Sequence, residues 1–248
     1  MLPVNAGSDL DIEIFAQTPN TYADSDSWMS EVGDVWLYLP LETDDGYPTR
    51  LVIFAGGAKV DFTLYPMEVL NERTRTRILP ELYERGYQVL LDKDGLASQL
   101  PRPSSTPPSM KPPSEHEFTA LVEEFWFEAY HVAKYLRRQD LWAAKFRDWG
   151  VKELLLKMIE WYEKALHGWD YDTWHLGVRM QEWVAPQVWQ DLTEAFAHFD
   201  APDSWRALEA TMNLFRRLAK EASGRLGYRY PQEVDDHLSG YIATLRVE

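Results

Sequence analysis

Strict alternation of apolar and acidic residues marks the first strand predicted from the sequence. In the segment Asp9–Phe15, positions 10, 12 and 14 are apolar, whereas positions 9, 11 and 13 are acidic. Because successive side chains of a strand point to opposite faces, this pattern predicts a half-buried strand that carries a row of carboxylates on its polar face.

A β-hairpin is predicted around Gly56-Gly57. The flanking segments, Thr49–Ala55 and Lys59–Tyr65, are rich in β-branched and aromatic residues. Glycine adopts positive φ angles freely, as tight hairpin turns require. Weaker patterns predict strands at Val35–Leu39 and Tyr87–Leu91 and short helices at Met67–Glu72 and Arg77–Glu84.

The second half of the chain has the period of helices. Ser114, with Glu117 three residues later, forms a capping box that opens a helix running to about Arg138. Its apolar residues recur at the i, i+3, i+4, i+7 spacing of one buried face. Further helices are predicted at Leu141–Leu166 (with a possible break at Gly150), Trp174–Val184, Gln187–Phe199, Ser204–Leu226 and Gln232–Leu245.

A proline-rich segment, 101–113, separates these two halves and contains six of the fifteen prolines. Proline fixes φ and lacks an N–H group, so we predict an extended, semi-rigid linker. The sequence therefore predicts an α+β protein. A domain with a small mixed β-sheet occupies residues 1–100, a linker residues 101–113 and a helical bundle residues 114–248.

Composition narrows the range of functions. The 40 acidic and 25 basic side chains give a formal charge of −15, which argues against nucleic-acid and anionic-membrane partners and is compatible with a cationic small molecule. The chain has no cysteine, and no apolar run approaches the ~20 residues of a membrane span. Residues 1–8 do not resemble a signal peptide. We therefore expect a cytoplasmic protein, whose oligomeric state the sequence leaves open.

Three aspartates are the strongest chemical signal. Asp9 and Asp11 share one face of the first strand, and Asp61 lies on the polar face of the hairpin. If the two strands are neighbours, the three carboxylates converge and could hold Mg²⁺, which prefers hard oxygen ligands. Asp61 would then be placed to accept the proton of an incoming hydroxyl. The same pattern also fits the solvated face of an ordinary half-buried sheet.

The sequence HGWDYDTWH, residues 167–175, combines acidic, histidine and tryptophan residues. Such a cluster could line a pocket for a cationic sugar, because tryptophan rings stack on sugar faces and on ammonium groups. The simpler interpretation is a turn rich in N-cap residues whose tryptophans belong to the core.

Several segments resemble one known family. They are Ser8–Ile12 (SDLDI), Leu51–Pro66 (LVIFAGGAKVDFTLYP), Tyr87–Gly95 (YQVLLDKDG), Glu124–Leu136 (EFWFEAYHVAKYL) and Leu154–Tyr162 (LLLKMIEWY). In this order they resemble the aminoglycoside 6-adenylyltransferases, also called streptomycin adenylyltransferases, over nearly the whole chain.

The resemblance implies a nucleotidyltransferase domain of the polymerase-β type followed by a helical domain. It implies transfer of AMP from Mg-ATP, as co-substrate, to a hydroxyl of an aminoglycoside such as streptomycin. Carried over by position, Asp9 and Asp11 are the paired metal ligands, and Asp61 is the third carboxylate.

Three further residues take roles only through this resemblance. Ser8 matches the serine directly before the paired aspartates and is assigned to nucleotide binding. Lys134 matches a helix lysine whose cation could meet the ATP phosphates. Glu124 is assigned to catalysis in the same cleft, as a base or a substrate anchor.

The family pattern also includes an earlier strand that ends in a phosphate-binding Gly-Ser motif, ten or more residues before the aspartates. Only eight residues precede Asp9, and Gly7-Ser8 directly adjoins it. We therefore expect this chain to lack that element. Two alternatives stay open: an inactive or truncated protein that binds a cationic small molecule, and a nucleotidyltransferase with a different acceptor.

Overall fold

A computed structural model describes residues 9–104 and 110–246. The chain divides into two compact units, Met1–Thr106 and Pro107–Glu248. The first is built on a four-stranded mixed sheet and the second on helices, so the α+β class predicted from the sequence is confirmed.

The sheet of the first unit has the strand order β1-β4-β3-β2. Its strands are β1 (Leu10–Ala16), β2 (Val35–Glu42), β3 (Pro48–Phe54) and β4 (Lys59–Pro66). Strand β3 pairs antiparallel with both β2 and β4, whereas β1 pairs parallel with β4. The predicted hairpin is present, and Gly56 and Gly57 have φ angles of 87° and 84° at its turn. These angles explain why glycine occupies both positions.

One face of the sheet is apolar and packs against a short helical segment. Val52, Phe54, Val60 and Phe62 are buried there together with Met29. The α-helices of this unit are α1 (Asn20–Ala23), α2 (Met29–Val32), α3 (Met67–Thr76) and α4 (Glu81–Glu84), with 3₁₀ turns at Asp26–Trp28 and Ala97–Gln99. The opposite face of β1 and β4 carries the polar residues of both strands, followed at one end by the rings of Phe15 and Tyr65.

Two predictions for the first unit were wrong. Tyr87–Leu91 is not a strand, and Leu90 and Leu91 are about 70% exposed without a strand partner. The helix predicted at Arg77–Glu84 begins only after Pro80. Arg77 instead ends α3 in a left-handed conformation, with a φ of 57°, which interrupts the helical path.

The second unit is a helical bundle with one continuous core. Its helices are α5 (Glu115–Arg137), α6 (Leu141–His167), α7 (Met180–Trp183), α8 (Pro186–Ala195), α9 (Ala201–Leu226) and α10 (Gln232–Leu245). The predicted capping box at Ser114 is present, and α6 continues through Gly150. The rings of Phe125 on α5 and Phe215 on α9 stack with centroids 3.6 Å apart at the centre. No helix in the two described ranges is long and apolar enough to cross a bilayer.

The helix predicted at Trp174–Val184 forms only over its last turn, as α7. Trp174, Leu176 and Arg179 all have positive φ angles between 51° and 54°. Left-handed residues cannot continue a right-handed helix, so the segment between α6 and α7 is an irregular loop.

A buried ion pair fastens α10 to α9. The Asp235 carboxylate is fully buried and accepts hydrogen bonds of 2.7 Å from both Nε and Nη2 of Arg216. The Tyr230 hydroxyl donates a third bond, of 2.8 Å, to the same carboxylate. The Arg216 guanidinium also lies over the Trp126 ring of α5, so one network links three helices.

Candidate functional site

Two of the three predicted aspartates, Asp11 and Asp61, lie on the polar face of β1 and β4, and Asp9 directly precedes β1. Asp11 and Asp61 are register partners in the parallel pair, so their side chains leave the same face from strands about 4.8 Å apart. Asp9 comes two residues before Asp11, and its carboxylate reaches the same cation as that of Asp61. Their apolar neighbours in β4, Val60 and Phe62, face the core instead.

Lys59 supplies the cation at this cluster. Its Nζ lies 2.8 Å from Oδ2 of Asp61 and 2.7 Å from Oδ2 of Asp9. These hydrogen bonds to Asp61 and Asp9 raise the pKa of Lys59 to about 12, so the ammonium stays charged at neutral pH. Lys59 begins β4 and shares its outward face with Asp61, which is why it can bridge the two strands.

The cluster keeps an excess of negative charge. Three carboxylates face one ammonium, and Oδ1 of Asp61 is buried without a hydrogen-bond partner. Partial desolvation and the nearby charge of Asp61 raise the pKa of Asp11 above its usual value. Such an arrangement favours an additional cation, because a buried acceptor without a donor is costly.

Mg²⁺ fits this donor set chemically, since hard carboxylate oxygens are its preferred protein ligands. Within residues 9–104 and 110–246, however, no group of three or more acidic, histidine or cysteine side chains is arranged as a metal site. The Lys59 ammonium holds the position between Asp9 and Asp61. A divalent ion bound by all three aspartates would therefore have to displace it.

A second polar cluster adjoins the aspartates and was not foreseen from the sequence. Glu13, the next outward-facing residue of β1, accepts hydrogen bonds from Arg73 Nη1 at 2.7 Å and from the Tyr83 hydroxyl at 2.5 Å. The Arg73 guanidinium also lies about 5 Å from the ring centroids of Phe15, Tyr65 and Tyr83. This cluster joins α3 and α4 to the polar face. The alternation of apolar and acidic residues in β1 predicts that Glu13 lies on the polar face, but it does not predict its distant partners, Arg73 and Tyr83.

Three predicted site residues remain, namely Ser8, Glu124 and Lys134. Ser8 lies outside the described residues. Glu124 and Lys134 belong to α5 of the helical unit, ten positions and therefore about 15 Å apart along the helix axis. Glu124 is exposed, and the Lys134 ammonium lies 5.1 Å from the centroid of the Tyr130 ring. Their assigned roles stay predictions.

The helical unit contains a cleft of its own. Part of the acidic and aromatic segment 167–175, for which a turn and a pocket were both considered, lines an open cleft of about 500 Å³. His167 ends α6 at this cleft, and Trp183 closes it from α7.

Comparison with known proteins gives one consistent result. A family model described as streptomycin adenylyltransferase matches residues 4–245. An aminoglycoside 6-adenylyltransferase of Campylobacter jejuni is 25% identical over 97% of this chain and 83% of its own length. The protein of that name from Bacillus subtilis strain 168 is 24% identical over 97% of this chain and 85% of its own length. The one from Staphylococcus aureus is 25% identical over 90% of this chain and 80% of its own length.

The fold is shared with a solved protein as well. The crystal structure of an aminoglycoside 6-adenyltransferase from Bacillus subtilis matches with a TM-score of 0.53 and 21% identity. The match covers 96% of this chain and 88% of that one, so both units take part in the likeness.

Proposed function

This chain belongs to the streptomycin adenylyltransferase family, and from this premise we propose that it transfers AMP from Mg-ATP to a hydroxyl of an aminoglycoside such as streptomycin. The relatives carry the name of the same reaction class. A reaction that consumes ATP also assigns the protein to the cytoplasm, where ATP is available.

The observation that carries this proposal is the pairing of Asp11 with Asp61 across β1 and β4, with Asp9 beside them. The unpartnered Oδ1 of Asp61 supports a cation ligand at this point. We assign Asp9, Asp11 and Asp61 to Mg²⁺. When bound, Mg²⁺ would neutralise negative charge that develops on the phosphates during transfer.

In the proposed reaction, the acceptor hydroxyl oxygen forms a new bond to the α-phosphorus of ATP. The bond from that phosphorus to the bridging oxygen of the β-phosphate breaks, and pyrophosphate leaves. The hydroxyl proton passes to a carboxylate, for which we assign Asp61, since general bases must lie within hydrogen-bond reach of the proton they accept. Asp61 thus serves as both ligand and base.

The remaining assignments follow the family pattern. Lys134 contributes a cation for the ATP phosphates, and Ser8 contacts the nucleotide beside the paired aspartates. Glu124 acts as a second base or holds the acceptor. An acidic protein is suited to such a substrate, because its field attracts a polycationic aminoglycoside.

The test is release of pyrophosphate from ATP by the purified full chain, in the presence of Mg²⁺ and streptomycin. We expect release to depend on all three components, and labelled AMP to appear on the antibiotic. Asp61→Asn keeps the size of the side chain but removes the charge. It should lower the rate at least about a hundredfold, the lower end of what general acid–base catalysis contributes.

Asp45→Asn is the matched control, since Asp45 is an exposed residue of the loop between β2 and β3. It should leave turnover unchanged. Full activity of Asp61→Asn would remove both roles from this residue. If wild-type protein modifies no aminoglycoside but labels another acceptor in a screen with labelled ATP, the acceptor assignment is wrong.

A further inference from the structure

The first half of α6 carries a stripe of aromatic residues on the surface of the helical unit. Trp142, Phe146 and Trp149 are spaced at i, i+4 and i+7, so they lie on one face of the helix. Their exposed fractions are 79%, 75% and 63%. Buried residues of the same helix, such as Val151 and Leu155, belong to the core. The helical period places them on the opposite side of α6 from the stripe.

Two phenylalanines of the loop between α8 and α9 enlarge this apolar surface. Phe199 is 65% exposed and lies edge-on to Trp142, with ring centroids 6.4 Å apart, and Phe196 is 52% exposed. Lys145 Nζ holds this loop to α6 through a hydrogen bond of 3.1 Å to the Ala197 carbonyl. We call the stripe and the two phenylalanines the aromatic patch.

The aromatic patch is as large as one side of a protein interface. At about 200 Å² for each aromatic side chain, its five residues expose about 650 Å². The largest apolar patch of an ordinary monomer is about 300 to 600 Å². Each partner of a standard interface buries about 800 Å². The aromatic patch therefore favours association with another protein surface.

The basic residues on either side of Phe146 are held away from the stripe. Lys145 points to the loop between α8 and α9, where its ammonium binds the Ala197 carbonyl. Arg147 points to α5, where its Nη1 lies 3.2 Å from the Glu128 carboxylate. The centre of the aromatic patch is thus apolar, as the centre of a stable interface is.

Gly150 lies beside the stripe and has no structural reason within the described residues. It is an interior residue of α6 and is not among the glycines with positive φ. A Cβ atom built there would meet no described atom within 4 Å. Glycine inside a helix lowers stability relative to alanine, but it allows another surface to approach closely.

A second copy of α6 fits this face when the two helices cross antiparallel about a two-fold axis at Phe146. Residues equally far from position 146, in opposite directions, then face each other. Trp142 of one copy meets Gly150 of the second copy, and Trp149 meets Ala143. Each large ring lies against a small residue, and Phe146 lies against its own counterpart. The face is therefore self-complementary, as a two-fold interface requires.

We propose that the aromatic patch is the surface through which two copies of this chain associate as a two-fold dimer. Two such patches bury about 1,300 Å², which exceeds the roughly 1,000 Å² expected of a biological interface. The proposal concerns assembly and is independent of the proposed function.

Sedimentation velocity of the full chain, from about 1 to 100 μM, tests the association. We expect the mass to rise from that of one chain to that of two. Phe146→Glu places two carboxylates face to face at the axis, and Phe146→Lys places two ammonium groups there. Each variant alone should raise the dissociation constant more than about thirtyfold, as the loss of a central aromatic residue does. Because Phe146 is exposed, circular dichroism should show an unchanged fold.

An equimolar mixture of the two Phe146 variants tests the symmetry. A carboxylate and an ammonium meet only if position 146 faces its own counterpart, so the mixture should recover dimers that neither variant forms alone. A mixture that stays monomeric would show that the two-fold arrangement is wrong.

Gly150→Leu fills the space in which the Trp142 ring of the second copy is placed. It should weaken association about tenfold, as overpacking does. Leucine favours a helix more than glycine does, so a less stable α6 would not account for this loss. Tyr241→Glu is the matched control, because Tyr241 is an exposed aromatic residue of α10, which packs on α5. It should associate like the wild type.

Two results would overturn the proposal. One is wild-type protein that stays monomeric at about 100 μM. The other is Phe146→Glu protein that associates as strongly as the Tyr241→Glu control.

Discussion

Replacing Lys59 with methionine tests the electrostatics of the aspartate cluster directly. Methionine keeps most of the apolar stem of the side chain but removes the ammonium that lies 2.7 to 2.8 Å from Asp9 and Asp61. The three carboxylates then repel one another without a counter-ion. We expect a less stable first unit in metal-free buffer and a larger gain in stability when Mg²⁺ is added.

The size of the effect follows from the pKa of Lys59. A rise from 10.5 to about 12 in the folded state corresponds to about 2 kcal/mol of stabilisation. Because the side chain is 34% exposed, solvent screening reduces the expected contribution to about 1 kcal/mol. A lysine with a raised pKa stabilises the fold fully below pH 10.5 and loses that contribution only as the pH rises through 12. The whole effect is therefore present at neutral pH.

Urea unfolding in EDTA and in Mg²⁺ measures both parts of this prediction. Lys59→Met should lose about 1 kcal/mol in EDTA and recover most of it in Mg²⁺, since the metal no longer competes with the ammonium. Lys93→Met, at an exposed position of the same unit, should change neither value. If Lys59→Met is as stable as wild type in EDTA and responds to Mg²⁺ no more strongly, the reasoning about this cluster is refuted.

Two further predictions concern buried acids of the helical unit. Asp235→Asn should lower the free energy of unfolding, measured in urea, by about 3 kcal/mol. This is the lower end of the range for a broken buried ion pair, because the Arg216 side chain is 26% exposed. A loss below about 1 kcal/mol would contradict this prediction. Burial raises the pKa of Glu163, so its charge destabilises the fold at a pH above this raised pKa. This penalty fades as the pH falls through the raised pKa, and it is gone below 4.5, the ordinary value. Glu163→Gln should therefore melt at a higher temperature than wild type at pH 8, with the gap closing in acid. If the difference in melting temperature between Glu163→Gln and wild type widens in acid, the predicted direction of the pH effect is wrong.

Local pattern was enough to predict the strands that carry the aspartates. Alternation identified the faces of β1, and Gly56-Gly57 identified the hairpin, because both signals lie within a few residues. The alternation of apolar and polar positions in the two strands was enough to place Asp11 and Asp61 on a common face, once β1 and β4 were assumed to be neighbours. That they pair in parallel depends on contacts between residues about fifty positions apart, which periodicity cannot supply.

The wrong predictions of secondary structure, and the partners of Glu13 that were not predicted, show the limits of a local pattern. The apolar run at Tyr87–Leu91 matches a strand locally, but it acquires no partner strand and stays on the surface. The helical spacing at Trp174–Val184 is overridden by left-handed residues that shape the cleft loop. The partners of Glu13, namely Arg73 and Tyr83, come from helices 60 and 70 residues away, and no spacing rule connects them.

The parallel pairing of β1 with β4 bears on how such a chain can diverge. Main-chain amides and carbonyls, which nearly every residue type provides, set the spacing between Asp11 and Asp61. Neutral drift at the surrounding positions, or insertions in the loops that join the strands, can therefore accumulate without separating the two carboxylates. A relative that is 25% identical to this chain has exchanged most of its side chains, whereas main-chain hydrogen bonds of this kind do not depend on side-chain identity.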